Sequence, residues 1–281
     1  MTAAKYWWGC MPERVSERFL GRYSTTEITQ MADDGGVVLI PLGATEQHGP
    51  HLPLFTDTLI VQSLVAGVLA DLPENHPFYF IYPLAYSYSM EHIDFPGTIS
   101  LSAETTMKLL MDVADALAKS GFRKIVFLNG HGGNVGLLHV VAREIRIKTG
   151  ISPFVISGGS LMEKGMFDEV ESRHGIHAGA YETALLQSLI PNWVDTALSE
   201  AEYPAFVKRE GQLSIEGSFA VAWKTKDLSA SGVIGDPNQA TPEMGGHLFS
   251  AMVAKLADVL MEIAQFDAVE EGEVHELRVE G

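Results

Sequence analysis

Four apolar runs punctuate the chain at residues 37–42, 78–82, 124–129 and 153–157, and their length suits buried strands better than helices. The segments between them change period. Over 57–71 the apolar side chains Leu59, Ile60, Leu64, Val65, Val68 and Leu69 recur three and four residues apart, which predicts a helix. Residues 102–120 form a clear amphipathic pattern, with Ser102 or Thr105 near the cap and Gly121 just past the end. Further helices are predicted over 135–149, stopped by Gly150, over 177–190, followed by Pro191, and over 242–264. An earlier one starts at Thr25 or Thr26 and ends at Gly35 and Gly36. Trp7, Trp8, Phe19 and Tyr23 suit a packed N-terminal arm, and residues 203–240, rich in Gly, Ser and Pro, read as loops and short strands.

Strands that alternate with helices at least four times argue for the α/β class, with a parallel sheet covered by helices on both faces. No internal repeat or linker interrupts residues 1–281, so one domain is expected, with a loose acidic tail at about 268–281. Sheets of this kind bind ligands beyond the carboxyl ends of their strands. The loops at 43–57 and 130–134 both follow strands, and both belong on that edge.

Charge and composition narrow the function. The chain has 281 residues and a net charge of −17, from 36 acidic and 19 basic side chains. Such a field repels nucleic acid and anionic membranes and attracts divalent cations. A small-molecule substrate is the expected partner. No run of about 18 apolar residues predicts a membrane span. The N-terminal residues have no apolar leader, and Cys10 is the one cysteine, so a cytoplasmic location is expected.

The chemistry concentrates after the first strand, where Glu46, His48, His51 and Asp57 fall within a dozen residues. Side chains two apart in extended backbone point the same way, so Glu46 and His48 can reach one ion, with Asp57 folding back from the next helix. Carboxylate oxygen with imidazole nitrogen suits zinc, manganese or iron better than calcium or magnesium. His131 stands in Asn129-Gly130-His131-Gly132-Gly133-Asn134, where the glycines permit a sharp turn beside a ligand. This loop lacks the glycine patterns of nucleotide sites. Glu182 lies near the start of a largely apolar helix and needs a partner if buried. His177, at that helix start, suits a proton donor or acceptor with a lowered pKa. The loop bearing Tyr88, Glu91, His92 and Asp94 reads as a substrate loop, and Glu171, Arg173 and His174 as a mobile lid.

These blocks together resemble the creatininase family of metal-dependent amidohydrolases. The similarity rests on residues 41–53 with Thr56 and Asp57, on 95–101 and 129–134, on His177-Ala178-Gly179 with Glu182 and Thr183, and on 232–237. It implies a three-layer α/β/α sandwich with a mostly parallel central sheet and two divalent metal ions. Glu46, His48, Asp57, His131 and Glu182 match the ligand positions, with Asp57 bridging the ions. It also implies a homo-oligomer, often a hexamer. Creatininase carries a glutamate two residues after the His131 position, where this chain has Gly133. It also carries tryptophans before the His177 position, whereas residues 152–176 have none. Creatinine is therefore not the expected substrate, and Arg173 and His174 point to a more polar or anionic one.

The expected reaction is metal-dependent hydrolysis of a C–N bond in a cyclic amide or formamide. His177 would protonate the leaving nitrogen, and Tyr88, His92 and Arg173 would bind substrate. Two alternatives stay open: hydrolytic ring opening of a cyclic polyol ketone, and a metal-binding scaffold without turnover.

Overall fold

The computed structural model describes residues 11–163, 165–205, 212–215 and 219–266. Its four strands are β1 (Val37–Leu42), β2 (Phe78–Phe80), β3 (Lys124–Asn129) and β4 (Ser152–Ser157). All pair in parallel, in the order β2-β1-β3-β4, with Val37 opposite both Phe78 and Lys124, and Lys124 opposite Ser152. The helices are α1 (Glu13–Ser16), α2 (Thr25–Asp33), α3 (Thr56–Asp71), α4 (Ala103–Lys119), α5 (Val135–Thr149), α6 (Gly158–Leu161), α7 (Glu169–His174), α8 (Ala180–Leu189), α9 (Thr225–Leu228) and α10 (Pro242–Gln265).

Strand alternation divides the core into two layers. Val37, Leu39, Val126 and Leu128 face one side, packed with Leu64 and Val68 of α3, Leu185 of α8 and Leu256 of α10. Val38, Ile40, Ile125 and Phe127 face the other, with Leu110 of α4 and Leu138, Val141 and Ile145 of α5. Strands apolar on both faces require such double cover, which is why β1 is buried at every position. Helix α3 is buried from Thr56 to Leu69 and so is a core helix rather than an amphipathic one.

The predicted strand over 78–82 is shorter than expected. Ile81 still donates to Leu39 O, but the next ladder contact is the bridge between Leu42 and Leu84. Val37 N and Gly43 N both point toward this neighbouring segment, so the missing N–H of Pro41 falls where β2 has already ended. The helix predicted over 177–190 begins at Ala180, because Ala178 takes φ +51°, left-handed backbone that no helix continues through. Trp7, Trp8, Cys10 and the acidic tail lie outside the described residues. Among the described residues, no helix is long and apolar enough to cross a membrane.

Candidate metal centre

The site stands at the carboxyl edge of β1 and β3, and two glycines let α3 start against it. A Cβ on Gly43, just past β1, would lie 2.6 Å from Thr58 Cα, and one on Gly130, just past β3, 2.8 Å from Asp57 O. Only bare backbone lets both strand ends press on the first turn of α3. Thr58 Oγ1 fastens that turn to Ala44 O at 3.0 Å. Asp57 is thereby carried, in a helix, into the loop that holds Glu46 and His48.

Six side chains meet there. His48 Nε2 lies 3.2 Å from Asp57 Oδ1 and 3.7 Å from Glu182 Oε1. His131 Nδ1 lies 3.2 Å from both Glu46 Oε1 and Asp57 Oδ2. Ligand atoms converge in three trios: Glu46, Asp57 and His131; His48, Asp57 and Glu182; Glu46, His48 and His177. Asp57 belongs to the first two and offers a different oxygen to each imidazole. Glu46 and His48, expected to reach one ion, divide between those two trios, although they also meet in the third.

The electrostatics are those of a cation pocket. Burial raises the Glu46 carboxyl to about 7, against the pull of His131. Burial opposes charge on both His48 and His131. It is outweighed by Asp57 and Glu182 at His48, and by Glu46 and Asp57 at His131, so both imidazoles stand well above their usual range. Burial likewise opposes ionisation of Asp57, yet His48 and His131 hold its carboxyl far below normal. Glu182 is also lowered, with His48 prevailing over burial. Protonated imidazoles thus offset the carboxylates. Even so, Glu46 Oε1 and Asp57 Oδ2, both buried, have no hydrogen-bond partner beyond the single His131 Nδ1 that they share at 3.2 Å. Under-satisfied buried oxygens are costly, and a carboxylate–imidazole donor set is the chemistry that zinc, manganese and iron accept. The residues therefore fit a divalent ion.

His177 lines the same cavity, of about 170 Å³. Its Nε2 lies 2.7 Å from Gln47 O. A carbonyl only accepts, so Nε2 carries the proton and the lone pair is on Nδ1, 3.7 Å from Glu46 Oε1. Burial, reinforced by the charge on His48, lowers this imidazole to about 4. The strained Ala178 next to it donates its N–H to Glu182 Oε2 at 2.6 Å, fixing that carboxylate.

The predicted substrate residues fare differently. His92 lines the cavity, with Nδ1 2.8 Å from both Gln47 Nε2 and Thr225 Oγ1. Burial and the neighbouring imidazoles depress its pKa. Tyr88 and Arg173 are not among the cavity-lining residues, and Arg173 is exposed. His51 turns away to Thr183 Oγ1 at 2.9 Å. The expected lid is in part an anchor. Glu171 is fully buried and accepts from Ala180 N at 2.6 Å, Asp236 N at 2.7 Å and Tyr203 Oη at 2.7 Å. It ties α7 to the start of α8 and so cannot swing.

Other contributors carry no sequence signal of their own. Ser89 Oγ donates to Glu46 Oε2. Gln47, buried between His92 and His177, also reaches Gly232 O at 3.1 Å. Trp223, with Ile215 and Ile176, gives the cavity an apolar wall. Ser89 and Gln47 each serve residues distant in sequence.

Helices on both faces of a parallel sheet, with a buried carboxylate–imidazole pocket at its carboxyl edge, define an α/β enzyme equipped for divalent metal. The family model described as creatinine amidohydrolase matches residues 21–260, and the chain belongs to this creatininase family of hydrolases. A mycofactocin precursor peptide peptidase of Mycobacterium tuberculosis is 34% identical over 249 residues, covering 83% of this chain and 88% of the relative. A creatinine amidohydrolase of Pseudomonas putida is 26% identical over 263 residues, covering 87% and 96%. A 3-dehydro-scyllo-inosose hydrolase of Thermotoga maritima is 26% identical over 208 residues, covering 73% and 62%. The solved structure of a creatininase shares the fold, with a TM-score of 0.71 and 24% identity over 89% of this chain and 99% of that one.

Proposed function

We propose that this chain hydrolyses an amide C–N bond with the help of two divalent ions, one held by Glu46, Asp57 and His131 and the other by His48, Asp57 and Glu182. The observation that carries the proposal is the pair of trios sharing Asp57, buried except for the partly exposed Glu182, with Glu46 Oε1 and Asp57 Oδ2 left to share one imidazole nitrogen. Zinc, manganese and iron fit the donor set, and solved creatininases include a Zn-Zn form and an Mn form. When bound, such ions supply a water nucleophile at neutral pH and polarise the scissile carbonyl.

The chain's own residues do the rest. His177 is neutral at neutral pH, with its Nδ1 lone pair free. It therefore accepts a proton from the attacking water first and returns it to the leaving nitrogen when the C–N bond breaks. This order differs from donation alone: the imidazole must be loaded by the first half of the reaction. Trp223, Ile215 and Ile176 shield the reacting groups from water on one side.

The substrate class is narrowed by likeness rather than by the cavity. Peptidases of the family are the more similar relatives, so an amide bond in a short peptide joins cyclic amides and formamides as a candidate. Short peptides, lactams, formamides and oxidised cyclitols assayed side by side decide the bond. Release of amine or a new carboxylate from one of the first three is expected. Turnover of the cyclitol alone would replace the amide reading with C–C hydrolysis.

A further inference from the structure

We propose that Glu91 is the positioning residue for His131, gripping the far side of its ring so that the near side faces the ion; this rests on the metal reading above. His131 presents Nδ1 to Glu46 and Asp57, so Nε2 points away from them. That nitrogen is buried, and its one candidate partner is Glu91 Oε1, 3.3 Å away. Glu91 Oε2 is equally buried and unpartnered. A buried imidazole nitrogen with no other partner therefore faces a carboxylate oxygen across the outer edge of the site.

Gly133 makes the meeting possible. A Cβ there would fall 1.9 Å from Glu91 Oε1 and 2.5 Å from His131 Nε2, inside the space both groups use. The carboxylate beside His131 comes instead from another loop, 40 residues earlier in the chain. That loop is clamped by α9: Thr225, fully buried, donates through Oγ1 to Glu91 O at 3.0 Å, and Lys224 pairs with Asp94 at 2.5 Å. The carboxylate is thus delivered by a braced turn and not by a free surface side chain. A histidine that ligates through one nitrogen and donates its other N–H to a carboxylate has its ring orientation fixed and its basicity raised. Losing such a carboxylate typically weakens metal binding 10–100-fold.

The test titrates cobalt(II), and separately zinc against a chelating indicator, into full-length protein stripped of metal. Glu91→Ala is expected to weaken binding about 10–100-fold, with the melting temperature of the metal-free protein little changed. Glu91→Gln keeps an oxygen that accepts from Nε2 and is expected to retain most of the affinity. Gly133→Ala should lose affinity in the same direction as Glu91→Ala, because its Cβ displaces both partners. Glu91→Ala binding both ions like wild type, whatever its turnover, overturns this inference alone. Wild type that binds neither ion overturns the metal reading and this inference with it.

Discussion

Substituting Gly43 by alanine tests whether the glycine at the end of β1 sets the position of Asp57. The added Cβ would lie 2.3 Å from Thr58 Oγ1, 2.6 Å from Thr58 Cα and 2.8 Å from Thr58 N. The hydroxyl can rotate away; the backbone cannot. An ordinary contact begins at 3.4 Å, so the first turn of α3 must retreat by about 0.8 Å or β1 must yield. Overpacking of this kind costs about 1–3 kcal/mol, which in a protein of this size lowers the melting temperature by roughly 2–12 °C. The functional cost is larger, because Asp57 precedes Thr58 and serves both trios. A misplacement near 1 Å can cost on the order of 100-fold in turnover, and metal affinity should fall at least about tenfold, by analogy with the loss of supporting contacts. Scanning calorimetry on metal-free protein and a zinc titration read the two effects separately. A variant that melts earlier yet binds zinc and turns over like wild type would refute the claim that this contact positions Asp57.

Other outcomes follow from the same geometry. His177→Ala should lower kcat by about 100–10,000-fold, as for loss of a general base, while zinc affinity stays within about tenfold; parallel loss of both would make His177 a ligand instead. Metal binding at neutral pH must displace protons, since the raised imidazoles of His48 and His131 are protonated without metal and ligate only when neutral. An unbuffered titration should release between about two and three protons per protein, two from the imidazoles and part of one from the raised Glu46 carboxyl, with affinity falling as pH drops; no release would contradict the assignment. Glu171→Ala strands three donors in the interior and should destabilise the fold by about 3 kcal/mol or more, measured by urea unfolding; a cost below about 1 kcal/mol would return Glu171 to a surface role.

Much of the fold was legible because it is written in local periodicity. The apolar runs of β1 and β3 and the helical spacing of 57–71 each identify an element by themselves. The cluster from Glu46 to Asp57 was legible for a related reason, since Glu46, His48 and Asp57 are close in sequence, although proximity alone does not show that His51 turns away to Thr183. What escaped was long-range. Glu91 reads as part of a substrate loop, but nothing local says that its carboxylate lies beside His131 and over Gly133. Gln47 sits between two recognised residues, and only the return of the chain at 92, 177 and 232 gives its amide a role. Glu171 resembled a lid residue because Arg173 and His174 follow it, yet Gly175, Gly179 and Gly235 leave room for its carboxylate in the interior. The start of α8 does not show in the periodicity, because the left-handed Ala178 has no signature in its residue type.

The most direct test of metal-dependent hydrolysis is the turnover of one responsive amide substrate before chelation, after chelation, and after adding back zinc or manganese. Activity that vanishes with the metal, returns with it, and fails to return in Asp57→Asn is the predicted result. Full turnover by protein shown to be free of metal would contradict the account at its centre.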